Sequence, residues 1–130
     1  MANAAPVAWV TGGTGGIGSA ICRALAKEGY QVVAGYHNPE KAKQWLADQQ
    51  ADGFDNIVLS GVDLTNYDEC VAGVAEIRDQ HGPVSVLVNC AGITRDGTMK
   101  KMTPDQWHEV IDTNLNSVFN TCRSVIEDML

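Results

Sequence analysis

Residues 7–18, with the sequence VAWVTGGTGGIG, decide the fold. The apolar run from Val7 to Val10 predicts a buried strand, and the apolar residues after Gly18 predict a helix. Five of the seven residues from Gly12 to Gly18 are glycines, so few β-carbons would keep a ligand away from the backbone. The following helix points its free N–H groups and the positive end of its dipole at the turn, which favours an anionic group. The stretch therefore predicts a strand, a turn and a helix that bind the diphosphate of a dinucleotide.

Two glycine patterns overlap in this turn. Gly13-x-Gly15-x-x-Gly18 matches the general dinucleotide fingerprint. Thr11-Gly12-x-x-x-Gly16-x-Gly18 matches the variant of the short-chain dehydrogenases/reductases, a family that the chain resembles. Glycine-rich segments also close ordinary turns, so the pattern is informative because a strand precedes it and a helix follows it. No Gly-Lys-Ser/Thr follows, which disfavours a P-loop for nucleoside triphosphates. The candidate cofactor-binding residues of the turn are Gly12, Gly15, Gly16, Ile17 and Gly18.

The rest of the chain alternates predicted strands and helices. We predict strands at residues 7–10, 31–35, 56–62 and 84–89. We predict helices at residues 16–28, at 39–52 after a cap at Asn38, from a cap at Thr65 or Asn66 to about residue 81, from a capping box at 103–106, and from Asn114 onward. Continuous Val/Ile/Leu strands joined by helices indicate a parallel sheet covered on both faces. The right-handed crossover rule then gives a Rossmann-type doubly wound α/β fold with strand order 3-2-1-4. Because the chain ends before a fifth strand, residues 1–130 are expected to form the N-terminal part of one NAD(P)-binding domain.

Composition and charge exclude several classes of partner. The chain has 130 residues and a formal net charge of −7, which opposes binding to nucleic acid and to anionic membranes. No apolar run approaches the ~20 residues that a membrane-spanning helix needs. The segment from Met1 to Pro6 lacks the basic and apolar parts of a signal peptide. We therefore expect a cytoplasmic protein without nucleic-acid or membrane partners.

The cysteines indicate neither a metal site nor a disulfide framework. Cys22, Cys70, Cys90 and Cys122 show no C-x-x-C spacing and fall in predicted helices and strands. We interpret them as small buried apolar residues of a protein in a reducing compartment.

The end of the second strand bears on which dinucleotide is bound. NAD-binding folds commonly place an acidic residue there for the ribose 2′-hydroxyl, but residues 36–39 read YHNP. Glu40 is acidic, but a carboxylate in the first turn of a helix is already stabilised by the helix dipole, so it does not by itself indicate ribose binding. Without a carboxylate at the strand end, a 2′-phosphate meets less repulsion, so we favour NADP(H). His37 and Lys41 are the candidate cofactor-binding residues here, although Lys41 and Lys43 also suit a solvated helix face.

Further candidate residues follow the third and fourth strands. Asp63 suits a hydrogen bond from the adenine amino group, the role that the resemblance implies, and it equally suits a turn or cap. Residues 89–94, NCAGIT, resemble the family's Asn-Asn-Ala-Gly segment, whose backbone lies along the cofactor ribose. Cys90 replaces the second asparagine, which removes an amide bridge between strands. The candidate cofactor-binding residues at these two strand ends are Asp63, Leu64, Asn89, Cys90, Ala91, Gly92 and Thr94.

The resemblance assigns catalytic roles to an asparagine, a serine and a Tyr-x-x-x-Lys pair. Asn114 matches the asparagine, which in relatives interrupts a helix and orders a water; an ordinary cap gives similar geometry. Ala34, Glu40 and Val71 stand four residues after the three tyrosines, so the chain has no such pair. We therefore expect the cofactor-binding half of a longer enzyme, inactive alone, and a non-catalytic dinucleotide-binding module is the alternative. An unpaired edge on the fourth strand predicts marginal stability or association.

Longer matches narrow the resemblance to acetoacetyl-CoA reductases of polyhydroxybutyrate synthesis. They comprise residues 89–96 (NCAGITRD), 99–103 (MKKMT) and 110–119 (VIDTNLNSVF). The resemblance implies NADPH-dependent reduction of a 3-ketoacyl thioester by a homo-tetramer, with Asp96 near the thioester; a plain surface-loop role for Asp96 is equally open. The related 3-oxoacyl-acyl-carrier-protein reductases share most of these features, so an acyl-carrier-protein substrate is a second possibility. Arg95, Lys100 and Lys101 form the main local positive cluster, suited to CoA phosphates, to an acidic carrier protein or to solvent.

Overall fold

Four parallel strands lie side by side in the order β3-β2-β1-β4, which confirms the predicted topology. The computed structural model describes residues 4–130, so Met1–Asn3, the start of the segment judged not to be a leader, lie outside the described residues. The strands are β1 (Val7–Thr11), β2 (Gln31–Gly35), β3 (Ile57–Ser60) and β4 (Val84–Asn89). The helices are α1 (Gly16–Lys27), α2 (Pro39–Ala51), α3 (Tyr67–His81), α4 (Pro104–Ile111) and α5 (Ser117–Met129), and a π-helical turn (Asp112–Asn116) joins α4 to α5.

The sheet is covered on both faces, because alternate strand residues supply two separate cores. On one face Trp9 and Val33 pack with Val74 and Ile77 of α3 and with Val125 of α5. On the other face Val10, Val32 and Ala34 pack with Cys22 and Ala26 of α1, and with partly buried residues of α2. Trp9 is fully buried at the centre of the first core. This arrangement brings the carboxyl ends of all four strands to one edge of the sheet.

Local signals in the sequence explain where the helices begin. The Asn38 side chain accepts hydrogen bonds from the backbone N–H groups of Glu40 and Lys41, with Pro39 in the first turn. Thr103 and Gln106 form the predicted capping box before α4. Asn66, not Thr65, caps α3 by accepting from the N–H of Glu69.

Several predicted boundaries are wrong: the first strand extends to Thr11 rather than ending at residue 10, and the third begins at Ile57 rather than at residue 56. The third strand ends at Ser60 rather than at residue 62, and α1 ends at Lys27 rather than at residue 28. The helix expected from Asn114 onward is not a separate element, since α4 continues through the π-helical turn into α5 at Ser117. The reason for this turn is a contact that Asn114 makes with a residue distant in sequence, described below.

The cysteines are only partly as expected. Cys22 and Cys70 are buried, whereas Cys90 is half-buried directly after β4 and Cys122 is exposed on α5. All four are free thiols. The interpretation of Cys122 as a buried residue is therefore wrong, because it lies on the exposed side of α5, where its Sγ accepts a hydrogen bond from the Asn89 amide at 3.5 Å.

Apolar side chains stand exposed along α5 and the turn before it. They follow a spacing of four and three residues, typical of a helix that packs against another helix: Leu115, Phe119, Cys122, Ile126 and Met129. Within the described residues β4 has no strand beyond it, and its Val86, Leu87 and Val88 are only half-buried. No helix formed by residues 4–130 combines the length and the apolar character that crossing a membrane would require.

Candidate functional site

A cleft of about 700 Å³ lies across the carboxyl ends of the strands. This is where ligands bind in open parallel sheets of this kind. The ends of all four strands, the start of α3 and the α4 region contribute to its walls. The lining residues are Trp9, Thr11, Gly12, Gly35, Tyr36, His37, Pro39, Ser60, Gly61, Val62, Asp63, Leu64, Thr65, Glu69, Ala91, Gly92, Ile93, Arg95, Glu109 and Thr113.

Two glycines of the turn are required by the packing of the chain itself. Gly12 has a φ of 61°, and a β-carbon there would lie 2.8 Å from the Cα of Ala91. A β-carbon on Gly18 would overlap the carbonyl oxygen of Gly12. A side chain at either position would push apart β1, α1 and the segment after β4.

Gly16 differs, because a β-carbon there would meet no heavy atom of the chain within 4 Å. It is exposed at the first position of α1, and its φ does not lie in the left-handed region. Packing therefore does not explain the glycine, and the space beside it is open to a ligand at the N-terminus of α1. Gly15 and Ile17 are exposed beside it, so the turn presents bare backbone at the two glycines and an apolar side chain at Ile17.

Thr11 joins β1 to the edge strand β4 and to the segment after it, at the floor of the cleft. Its hydroxyl accepts hydrogen bonds from the N–H groups of Cys90 (3.1 Å) and Ala91 (3.2 Å) and donates one to the carbonyl of Val88 (3.4 Å). A threonine on the neighbouring strand thus ties β1 to the segment that contains Cys90. The sequence pattern does not indicate this role, apart from the polarity of Thr11 at the end of an apolar strand.

Trp9 also contributes to the cleft lining, although its side chain belongs to the core. Its side chain is fully buried, and its indole N–H has no acceptor among the described residues. Buried polar groups nearly always have a partner. The indole N–H of Trp9 is therefore a buried donor without a partner beneath the cleft.

The β2 end of the cleft carries no carboxylate. Tyr36, His37 and Pro39 form this wall, while Glu40 and Lys43 pair on the exposed surface of α2 at 3.9 Å. Lys41 is exposed in the first turn of α2 and does not line the cleft. Of the two candidate residues at this end, the structure thus places His37, but not Lys41, at the cleft wall.

Asp63 lies at the cleft and also holds its own loop together. One carboxylate oxygen accepts from the N–H (3.0 Å) and the hydroxyl (2.7 Å) of Thr65. The other oxygen has no hydrogen bond within residues 4–130, so it is available to a ligand. The neighbouring Leu64 packs on the Trp9 core, and its carbonyl accepts from the Asn120 side chain at 2.9 Å. Asp63 therefore has the turn role that the sequence left open, and its second oxygen leaves the ligand role open to test.

The segment after β4 presents mainly its backbone to the cleft. Ala91 and Gly92 line the cleft, whereas the Asn89 amide turns to α5, where its oxygen accepts from the Thr121 hydroxyl at 2.6 Å. The Cys90 side chain packs into the core beneath α1. The predicted residues Thr94 and Asp96 are exposed on the loop and lie outside the cleft lining.

Asn114 ties this segment to the helical region behind it. Its side chain accepts from the N–H of Ile93 and donates to the carbonyl of Ile93, both at 2.8 Å. The π-helical turn at Asp112–Asn116 is the local irregularity that accompanies this contact, and such turns are frequent at functional sites. Asn114 therefore positions the cleft wall through its side chain, and one amide N–H and one oxygen lone pair remain for other contacts.

The two buried thiols, Cys22 and Cys70, have low reactivity near neutral pH. Burial, with Cys90 nearby, raises the pKa of Cys22 from 9.0 to about 12. Burial next to Asp63 and Glu69 raises the pKa of Cys70 from 9.0 to about 11. Both stay protonated near neutral pH and are poor nucleophiles. No cluster of three or more His, Cys, Asp or Glu suited to a metal ion occurs in the part of the chain that the structure describes.

Comparison with known proteins identifies relatives over nearly the whole chain. The family model for short chain dehydrogenases matches residues 6–130. An acetoacetyl-CoA reductase from Allochromatium vinosum is 50% identical over 128 residues, which cover 97% of this chain and 52% of that protein. An acetoacetyl-CoA reductase from Cupriavidus necator is 47% identical over 95% of this chain and 50% of that protein. A 3-oxoacyl-[acyl-carrier-protein] reductase from Staphylococcus aureus is 40% identical over 95% of this chain and 50% of that protein.

Solved structures match in the same way. The crystal structure of gox2181 superimposes with a TM-score of 0.89 at 33% identity, covering 98% of this chain and 49% of that one. An actinorhodin polyketide ketoreductase variant with NADPH gives a TM-score of 0.88 at 34% identity, and the match covers 95% of this chain and 47% of that one. The chain thus spans about half the length of the relatives that it matches.

Proposed function

The chain belongs to the short chain dehydrogenase family, and we propose that it forms the cofactor-binding part of an enzyme that reduces a 3-ketoacyl thioester with NADPH. The specific reaction that we propose is acetoacetyl-CoA to 3-hydroxybutyryl-CoA, as in polyhydroxybutyrate synthesis. The substrate rests on relatives named acetoacetyl-CoA reductase at 47–50% identity. The observation that carries the cofactor is the open space beside Gly16 at the N-terminus of α1.

Features of the cleft and of the glycine turn beside it support a dinucleotide, although Gly15 to Gly18 do not belong to the cleft lining. The bare N-terminus of α1 suits the diphosphate, Asp63 has a free oxygen for the adenine amino group, and Ala91–Gly92 offers a backbone surface to a ribose. When bound, such a cofactor supplies a hydride to the ketone carbon. The role of this chain is to hold it in one orientation, because Thr11 and Asn114 fix the wall against which it lies.

We favour NADPH over NADH because the β2 wall carries no carboxylate that would repel a 2′-phosphate. His37 is the group on that wall suited to the phosphate, and Lys41 is close in sequence on the exposed start of α2. A structural relative crystallised with NADPH supports the same choice. Tighter binding of NADH than of NADPH would contradict it.

The proton that the reduced carbonyl needs has no evident donor among these residues, since the 130-residue chain contains no Tyr-x-x-x-Lys. We propose that a tyrosine, lysine and serine from the longer enzyme supply it, and that Asp96 lies near the thioester. Residues 1–130 alone are then expected to bind NADPH without reducing a ketone. We place the reaction in the cytoplasm, where the four free thiols stay reduced.

We further propose that the complete enzyme is a homo-tetramer. The exposed apolar side chains at 115, 119, 122, 126 and 129 share one face of the π-helical turn and α5. That face is suited to packing against another helix. Sedimentation of the complete protein tests this, and a monomer at micromolar concentration would contradict it.

Activity measurements distinguish the proposed function from its alternatives. NADPH oxidation by the complete protein would be followed with acetoacetyl-CoA and with the same acyl group on acyl-carrier protein. Preference for the CoA thioester supports the proposal, and preference for the carrier-linked thioester would make the protein a 3-oxoacyl-acyl-carrier-protein reductase. NADPH binding without turnover of either substrate would instead indicate a non-catalytic dinucleotide-binding module.

A further inference from the structure

The charges around the cleft are unbalanced. Three carboxylates line it, from Asp63, Glu69 and Glu109, and the chain as a whole carries a net charge of −7. Among the described residues that line the cleft, Arg95 is the single lysine or arginine. A ligand that carries several phosphates must enter this negative surface, where the charge of Arg95 is the main permanent attraction that a side chain offers.

Arg95 is held in place but is not saturated. Its Nε donates to Oε2 of Glu109 at 2.9 Å, and its Nη1 donates to the carbonyl of Thr94 at 2.8 Å. A guanidinium has five N–H donors, so most of them stay free for a further acceptor. The side chain is 43% exposed and therefore accessible from the cleft. Two residues earlier, the backbone of Ile93 is fixed on both sides by Asn114, which limits where Arg95 can move.

We propose that Arg95 is the phosphate-binding side chain of the cleft, and that a phosphate of the bound ligand competes with Glu109 for its guanidinium. This inference rests on the proposed function, since it requires a phosphate-bearing cofactor or substrate. Planar guanidinium groups bind phosphate through two parallel hydrogen bonds, which a lysine cannot reproduce. Both the dinucleotide and the CoA part of the substrate carry such phosphates.

The proposal makes Arg95 and Glu109 act in opposite directions, whereas a purely structural ion pair makes them act alike. Arg95→Gln is expected to weaken binding of the phosphate-bearing ligand about tenfold, through loss of one charge-assisted hydrogen bond. Glu109→Gln is expected to tighten binding about two- to fivefold, because the exposed carboxylate no longer competes. The double variant is expected to bind like Arg95→Gln alone.

The experiment uses the complete protein and two kinds of ligand. NADPH affinity is measured by fluorescence titration, and KM is measured for acetoacetyl-CoA and for its N-acetylcysteamine thioester, which has no phosphates. A change in NADPH affinity assigns the phosphate to the cofactor. A change in KM for the CoA thioester, with none for the short thioester, assigns it to CoA. Lys27→Gln and Glu28→Gln at the end of α1 are matched controls for the two changes of charge.

Weaker binding in both single variants would overturn the proposal, because the pair would then only join the loop to α4. Effects no larger than those of the controls would also overturn it. If the unmodified complete protein bound neither NADPH nor the CoA thioester, the proposed function and this inference would both fail. Normal binding with unaffected variants would refute the role of Arg95 alone.

Discussion

Replacing Gly16 by alanine is expected to weaken NADPH binding without lowering the stability of the fold. A β-carbon at this position meets no atom of the chain within 4 Å, so the substitution creates no clash. Alanine also loses less backbone entropy than glycine in a helix, so the free energy of unfolding is expected to rise by up to about 0.5 kcal/mol. The same methyl group occupies the space beside the free N–H groups of α1. Loss of one charge-assisted hydrogen bond there would weaken NADPH binding at least about tenfold.

Gly12→Ala is the matched comparison within the same turn. Gly12 has a φ of 61°, which costs a residue with a side chain about 1–2 kcal/mol. Its β-carbon would also lie 2.8 Å from the Cα of Ala91, so unfolding is expected at clearly lower denaturant concentration. Urea unfolding and NADPH titration of both variants test the pair. Unchanged NADPH affinity in a folded Gly16→Ala protein would refute the argument that the ligand, and not packing, requires this glycine.

Three further substitutions or conditions test other parts of the site. Thr11→Val leaves the N–H groups of Cys90 and Ala91 without their acceptor, so the free energy of unfolding should fall by about 2 kcal/mol. Thr11→Ser keeps the hydroxyl and should lose less; equal losses would show that the methyl group matters instead. Asn114→Leu removes two hydrogen bonds to Ile93, so hydrogen exchange across residues 92–96 should accelerate and turnover should fall, whereas unchanged exchange would argue against its positioning role. The pKa of Cys22 is about 12 and that of Cys70 about 11 in the folded chain, against 9.0 for an unperturbed thiol. The folded state then binds more protons above pH 9, so stability should fall as pH rises from 9 towards 11. Cys22→Ala should flatten that decline, and native iodoacetamide labelling at pH 8 should favour the exposed Cys122 over both buried thiols.

The sheet could be predicted because its signals are local. Each strand is a short apolar run, the first four helices have a cap or glycine at a boundary, and handedness leaves one order for the crossovers. The position of the cleft followed from that order alone. Of the predicted site residues, Gly12, His37, Asp63, Leu64, Ala91 and Gly92 line it.

The remaining features depend on contacts between residues far apart in the chain. The Thr11 hydroxyl binds backbone groups 79 and 80 residues away, and no pattern around Thr11 signals those partners. The π-helical turn accompanies contacts of Asn114 with a residue 21 positions earlier, whereas the local sequence predicts a plain helix start. Arg95 and Glu109 are 14 residues apart and meet only because α4 returns to the strand ends. Periodicity reports local structure and burial, so it could not reveal these tertiary hydrogen bonds.

Hydrogen exchange with and without NADPH tests the central claim most directly. In the complete protein, saturating NADPH is expected to slow exchange of the backbone N–H groups between Gly12 and Ser19, where the diphosphate is proposed to lie. Peptides from the far end of α1, around Lys27, should change little. Exchange that stays the same across residues 12–19, while NADPH binds saturably and protects another part of the protein, would contradict the account.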